Sequence, residues 1–170
     1  QTVTYTYDAA NQLLSQSLSM EDGRQITTGY RYGIVVANGM AIDTIDPNGV
    51  TQRAVYNNRG QLIEQIKDPG GLNLVTAYSY DEQGHVLTVT QSGTGLATPT
   101  VRRYQYDVLG RRTDEYLDGI GRTVHYEYDL NNNLISSTDA LGNISRFGYD
   151  SENREIVRVD AMGGAVRTWY

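Results

Sequence analysis

No cysteine occurs among the 170 residues, so neither disulfide bonds nor thiolate metal ligands can hold this chain together. The redox character of its compartment is left open by that absence. Histidine occurs only at His85 and His125, too few and too far apart to build a zinc site from local spacing. Basic residues are the minority, 14 Lys and Arg against 20 Asp and Glu, and the net charge of −6 lacks the basic footprint that duplex nucleic acid requires. The pairs Arg102-Arg103 and Arg111-Arg112 read as solvated strand ends. No apolar run approaches the roughly 20 residues of a membrane-spanning helix, and no signal peptide or low-complexity linker is present. Phenylalanine and tryptophan each occur once, and proline three times.

What is abundant is tyrosine, with 14 copies, and glycine, with 18. Their positions are periodic. Tyr-Asp recurs at Tyr7-Asp8, Tyr80-Asp81, Tyr106-Asp107, Tyr128-Asp129 and Tyr149-Asp150, with weakened copies at Tyr32-Gly33 and Tyr56-Asn57 and a last tyrosine at Tyr170. Successive tyrosines lie 25, 24, 24, 26, 22, 21 and 21 residues apart. Four residues after the tyrosine stands Asn11, Gly60, Gly84, Gly110, Asn132 or Asn153; the copy at Tyr32 alone fails this test. Midway through most repeats comes a second signal, at Asp46-Pro47-Asn48-Gly49, Asp68-Pro69-Gly70-Gly71, Asp118-Gly119-Ile120-Gly121, Asp139-Ala140-Leu141-Gly142 and Asp160-Ala161-Met162-Gly163.

Both signals have the physical character of hairpin turns. A leading aspartate accepts hydrogen bonds from the backbone ahead of it, and glycine or asparagine tolerates the positive φ at the exit. Between the turns the pattern alternates with period two, as in Val124, Tyr126 and Tyr128 against Thr123, His125 and Glu127. No stretch sustains a helical period. The fold class expected is all-β, an antiparallel meander of two strands per 21–26-residue repeat, with residues 1–170 forming one segment of seven repeats. The chain starts inside a strand pattern and stops where another repeat would begin, so it reads as an excerpt of a longer polypeptide. With 39% apolar residues a core is expected, and the tyrosine or phenylalanine two positions before each repeat tyrosine (Tyr5, Tyr30, Tyr78, Tyr104, Tyr126, Phe147) should form an aromatic stripe on one face.

The copies YDEQGHVL (80–87), YDVLGRR (106–112), YDLNNNLI (128–135) and YNNRGQLI (56–63) resemble the Rhs or YD-repeat family. That resemblance covers essentially the whole chain and is weakest between Tyr30 and Asp46. It implies a long sheet curled into part of a spiral shell, as in bacterial Rhs toxins, the B and C components of insecticidal toxin complexes, and teneurins. It further implies an exported protein, secreted or at the cell surface and bacterial, whose partners are the rest of the same shell and an enclosed C-terminal toxin or cargo domain. The repeat positions Tyr7, Asp8, Asn11, Tyr56, Gly60, Tyr80, Asp81, Gly84, Tyr106, Asp107, Gly110, Tyr128, Asp129, Asn132, Tyr149, Asp150 and Asn153 are then structural, and no catalytic residue, metal or cofactor is expected.

Other chemistry finds less support. Asp46-Pro47-Asn48-Gly49 and Asp68-Pro69-Gly70-Gly71 stand at the spacing of the family's self-cleavage motifs, but that spacing is also the repeat period, and the family's glycine-rich segment is replaced by VTQRAVYNNRG. Asp129, Asn131 and Asn133 alternate like calcium ligands but lack a downstream bidentate glutamate. No Gly-x-Ser-x-Gly nucleophile motif occurs, and paired carboxylates for glycoside cleavage are hard to find because nearly every aspartate already belongs to a turn. Sugar stacking on tyrosines makes a carbohydrate-binding or adhesive module the second reading, with glycans as partners. Unpaired end strands near Gln1 and Tyr170 would also favour an edge-strand dimer.

Overall fold

The computed structural model describes residues 1–170, and the chain is helix-free. Fifteen strands are hydrogen-bonded in strict sequence order in one open antiparallel sheet: β1 (Thr2–Tyr7), β2 (Leu13–Ser19), β3 (Gln25–Val36), β4 (Gly39–Ile45), β5 (Thr51–Tyr56), β6 (Leu62–Lys67), β7 (Leu74–Tyr80), β8 (Val86–Ser92), β9 (Thr100–Tyr106), β10 (Arg112–Leu117), β11 (Gly121–Tyr128), β12 (Leu134–Asp139), β13 (Ile144–Tyr149), β14 (Glu155–Val159) and β15 (Ala165–Arg167). Two compact units divide the chain, one of residues 1–84 and 89–100, the other of 85–88 and 101–170.

Tyr7, Tyr56, Tyr80, Tyr106, Tyr128 and Tyr149 each end a strand, and the aspartate or asparagine that follows begins the turn. The backbone reverses through a tight loop in which residue i+3 donates to the carbonyl of the aspartate while the aspartate amide donates to the carbonyl of i+4, as in Asp107 with Gly110 and Arg111 at 3.0 and 2.9 Å. The i+3 residue must be left-handed. Asn11, Asn132 and Asn153 have φ of 62°, 69° and 60°, and Gly60, Gly84 and Gly110 have 75°, 96° and 77°. This is a type I turn closed by a one-residue bulge. The bulge shifts the register beside the tyrosine, so that Tyr7 pairs with Leu13, Tyr56 with Leu62, Tyr106 with Arg112, Tyr128 with Leu134 and Tyr149 with Glu155.

Several turns depart from the common pattern, each for a local reason. At Tyr32-Gly33 no turn forms: β3 runs on as the longest strand, Gly33 (φ 66°) absorbs a register shift between Arg31 and Ile34, and the chain reverses at Ala37-Asn38. Around Asp68 the connection widens. Pro69 keeps the residue before it out of the right-handed helical region, Asp68 takes φ 53°, and its carbonyl receives both Gly71 and Asn73. At Asp118 the turn starts one residue earlier, with Ile120 donating to the Leu117 carbonyl and Leu117 paired with Gly121, and the Asp118 carboxylate is held by Arg103 of β9. Gln91 and Ser92 complete β8.

The expected core is thin. Of the apolar side chains only Ala41 and Val55, a directly paired couple on β4 and β5, are fully buried. Most other strand residues are half-covered, as a single sheet layer dictates. The buried polar residues are Ser17 and Asp43 in the first unit and Asp114 and Ser136 in the second.

Gly110 tests the turn geometry. A Cβ there would be both in the left-handed region and 2.7 Å from the His85 ring, whereas at Gly70 it would meet open space without positive φ. Gly110→Val should cost about 1–2 kcal/mol or more and lower the melting temperature by several degrees, and Gly70→Val should leave it nearly unchanged. Equal shifts in a thermal melt would contradict the turn assignment.

Candidate functional site

The most regular side-chain chemistry lies along the rim formed by the Tyr-Asp turns. In five such turns one oxygen of the leading residue accepts two amides, from i+2 and i+4. Asp8 receives Ala10 and Gln12, Asn57 receives Arg59 and Gln61, Asp107 receives Leu109 and Arg111, Asp129 receives Asn131 and Asn133, and Asp150 receives Glu152 and Arg154, all at 2.8–3.0 Å. The opposite rim repeats the device with Asp46, Asp139 and Asp160. The second carboxylate oxygen is commonly taken by the i+4 side chain: Arg111 on Asp107, Asn133 on Asp129, Asn143 on Asp139, Arg154 on Asp150.

These bonds hold the carboxyls below their usual pKa. For Asp107 the largest cause is the Arg111 guanidinium, for Asp129 and Asp139 the Asn133 and Asn143 amides, and for Asp150 the backbone amide of Arg154. With Asp129 spent in this way, its oxygens and the alternating Asn131 and Asn133 form a turn, and no group of three or more His, Asp or Glu side chains converges as metal ligands would.

The repeat tyrosines join one hairpin to the next. Tyr80 donates its hydroxyl to the Leu62 carbonyl at 2.6 Å, Tyr106 to Val86 at 2.9 Å, Tyr128 to Arg112 at 2.9 Å and Tyr149 to Leu134 at 2.9 Å. In every case the acceptor lies six residues after the preceding repeat tyrosine. Burial of the ring pushes the hydroxyl pKa of Tyr80 and Tyr149 upward, which keeps them protonated as donors. Neighbouring turns are tied directly as well. Arg111 reaches the Asp129 carbonyl at 2.8 Å and the Asn132 side chain at 3.1 Å, Asn133 donates to Asn153 at 2.8 Å, and Arg59 to the Glu82 carbonyl at 3.4 Å.

The aromatic stripe differs from expectation in composition. Its rings alternate with arginines: Arg112 lies 5.4 Å from the Tyr104 centroid and 5.6 Å from Tyr126, Arg158 covers Phe147, and on the turn side Arg111 covers Tyr128 at 4.8 Å. His85 immediately precedes β8 and stacks on Tyr106 at 4.8 Å.

Sequence reading missed the polar pairs inside the sheet. Asp43 is buried against Arg53, which grips it with two bonds of 2.7 and 2.8 Å, and Arg31 sits opposite Asp43 on the other side. His125 contacts Asp114 at 2.8 Å, with Arg122 3.5 Å from the same carboxylate. These aspartates have no turn role, and the alternation placing Asp43 opposite Arg53 is the one signal that could have exposed the pair. The two Asp-Pro turns come to one open cleft of about 290 Å³ lined by Arg31, Asp43, Gly49, Thr51, Arg53, Asp68, Pro69 and Gly70. Asp46 takes no part in it, being bound to its own turn amides.

The RHS repeat model matches residues 56–96 and 128–165, which carry four of the turn-and-tyrosine units just described. Over these 79 of its 170 residues the chain is similar to the RHS repeat. No curated protein sequence matches it. The sheet superposes on the crystal structure of TcdB2-TccC3-TEV with a TM-score of 0.70 at 15% identity, over 96% of this chain and 9% of that one. The Photorhabdus luminescens Tc holotoxin pore gives 0.49 at 13% identity, over 96% and 12%. The chain thus spans 9% of the TcdB2-TccC3-TEV chain, and at 15% identity the likeness is one of fold.

Two measurements test this rim. Tyr80→Phe removes one inter-hairpin bond and should destabilise by about 0.5–1.5 kcal/mol in urea, while Tyr5→Phe, on an exposed ring of β1, should be neutral. Acid should also destabilise. A carboxyl whose folded pKa is depressed below its unfolded value, about 3.9, contributes stability above that value and loses it as pH falls through the folded one. Melting temperature should therefore drop between about pH 5 and pH 2, and Asp139→Asn, which cannot titrate, should lessen that drop. An unchanged pH profile in the variant would refute the role of Asp139.

Proposed function

We propose that this chain is a length of structural wall in an exported bacterial toxin protein, enclosing a C-terminal toxin or cargo domain together with the rest of the same RHS-repeat shell. The observation that carries the reading is the tyrosine stitch: the repeats at Tyr80, Tyr106, Tyr128 and Tyr149 are each fastened to the one before by the same hydroxyl-to-carbonyl bond, at the same offset. Such a scheme extends a sheet without limit and specifies nothing but continuity. Open twisted sheets of more than about ten strands curl, and curling is what turns a strip into an enclosure. The residues 1–170 act in this reading as one segment of a longer chain, and the repeat positions from Tyr7 to Asn153 are scaffold.

Enclosure needs no nucleophile. The carboxylates are engaged by turn amides and arginines, so the wall works by excluding solvent and partners from what lies behind it. Of the rings a sugar could stack on, Tyr128, Tyr104 and Tyr126 are covered by Arg111 and Arg112, while Tyr5 and Tyr7 are exposed.

In the full-length protein, Asp46→Asn, Asp68→Asn, His85→Ala and His125→Ala should each leave processing and toxicity nearly unchanged. Deletion of residues 129–149, a whole repeat, should expose the enclosed segment to added protease. A point variant that blocks processing while protease protection persists would overturn the purely structural assignment.

A further inference from the structure

Two arginines share one carboxylate in the open cleft of the first unit. Arg31, Asp43 and Arg53 are directly paired neighbours on β3, β4 and β5, so their side chains stand on one face of the sheet. Arg53 takes Asp43 with a fork of two bonds, through Nε and one Nη, and its other Nη donates to no side chain. Arg31 is exposed and forms no ion pair, since Asp43 is engaged by Arg53. On its far side the pairing of β3 with β2 ends at Gly29, so no residue of β2 lies opposite Arg31.

Burying an ion pair is a weak source of stability, because desolvation of the two charges offsets most of their attraction. Asp43, 2% exposed, supplies order instead: it fixes a guanidinium in the cleft wall before anything binds there. A donor held in place in advance loses little freedom on binding. The second carboxylate at the cleft, Asp68, is turned to its own loop, where its Oδ2 accepts the Leu72 amide at 3.0 Å. Gly70 lines the cleft without positive φ and with open space around it, so no turn geometry calls for glycine there, and its missing side chain leaves the way in clear.

The donors select the ligand. A guanidinium fork matches the two oxygens of a planar carboxylate, and Asp43 on Arg53 displays that match inside the cleft. About 290 Å³ lies at the lower end of ligand pockets, room for one side chain and not for a cofactor. We propose that the cleft binds the carboxylate of an acidic side chain on a peptide partner, Arg31 gripping it with its free fork and the remaining Nη of Arg53 adding a further donor. Every residue of the site belongs to the first unit, so the proposal does not rest on the wall reading, and its failure would leave that reading standing.

The test is a heteronuclear NMR titration of the chain at low salt, where a surface charge contact is least screened. N-acetyl-glutamate N-methylamide should shift the Arg53 Nε–H signal and the Gly49, Thr51 and Gly70 amides along one saturable curve, while N-acetyl-glutamine N-methylamide should leave them in place. Arg31→Gln should weaken binding of the glutamate probe at least tenfold and melt within a few degrees of the parent chain, because Arg31 is exposed and outside any ion pair. Arg102→Gln, at an exposed arginine of the second unit, should bind the probe as the parent does. Shifts that do not saturate, an equal response to the glutamine probe, undiminished binding by Arg31→Gln, or an equal loss in Arg102→Gln would each overturn the proposal. Inorganic phosphate should displace the glutamate probe only at higher concentration; displacement at lower concentration would overturn the assignment to a carboxylate.

Discussion

A single side-chain oxygen accepting two backbone amides sets the geometry on which each regular hairpin depends. Once the oxygen of Asp107 or its equivalents binds the amides of i+2 and i+4, the loop length is fixed, and the left-handed residue at i+3 follows. The bulge that results shifts the register by one beside the tyrosine. That shift decides which carbonyl the next repeat's tyrosine meets. Turn, register and inter-repeat bond are therefore one construction, reached from one short local interaction.

This explains why so little buried apolar surface suffices. A one-layer sheet cannot enclose a core, and Ala41 and Val55 are its only fully buried apolar side chains. Stability is spread over many modest, similar contributions: turn bonds, tyrosine stitches, arginines over aromatic rings and half-covered strand faces. Buried charge occurs where strands leave room for it, as at Asp43, and there Arg53 supplies both an opposite charge and two hydrogen bonds. The guanidinium is held protonated by that carboxylate, its pKa raised further.

Local chemistry was legible in the sequence and lateral chemistry was not. The turns at Asp8, Asn57, Asp107, Asp129 and Asp150 are visible because donor, acceptor and left-handed residue all fall within five positions. The strand order follows from turn spacing alone. By contrast, the contact of His125 with Asp114 joins residues 11 apart on different strands, and it exists because a register shift between Glu115 and Tyr116 brings His125 opposite Asp114. The departure at Tyr32 was visible as a broken motif, but not its outcome, since a long strand through Gly33 depends on a bulge that β4 accommodates. The arginines between the aromatic rings were hidden for the same reason: Arg112 precedes Tyr126 by 14 positions and meets it only across the sheet.

The central claim is that one turn construction, repeated, holds the sheet together. Native-state hydrogen exchange at neutral pH reads it residue by residue. The amides that close the turns onto Asp8, Asp107, Asp129, Asp139, Asp150 and Asp160, among them Arg111, Asn133, Asn143, Arg154 and Gly164, should be protected to a similar degree as the flanking strand amides. If these i+4 amides exchange as fast as those of the 93–99 loop while the strands stay protected, the turns are consequences of the sheet and not its organising constraint.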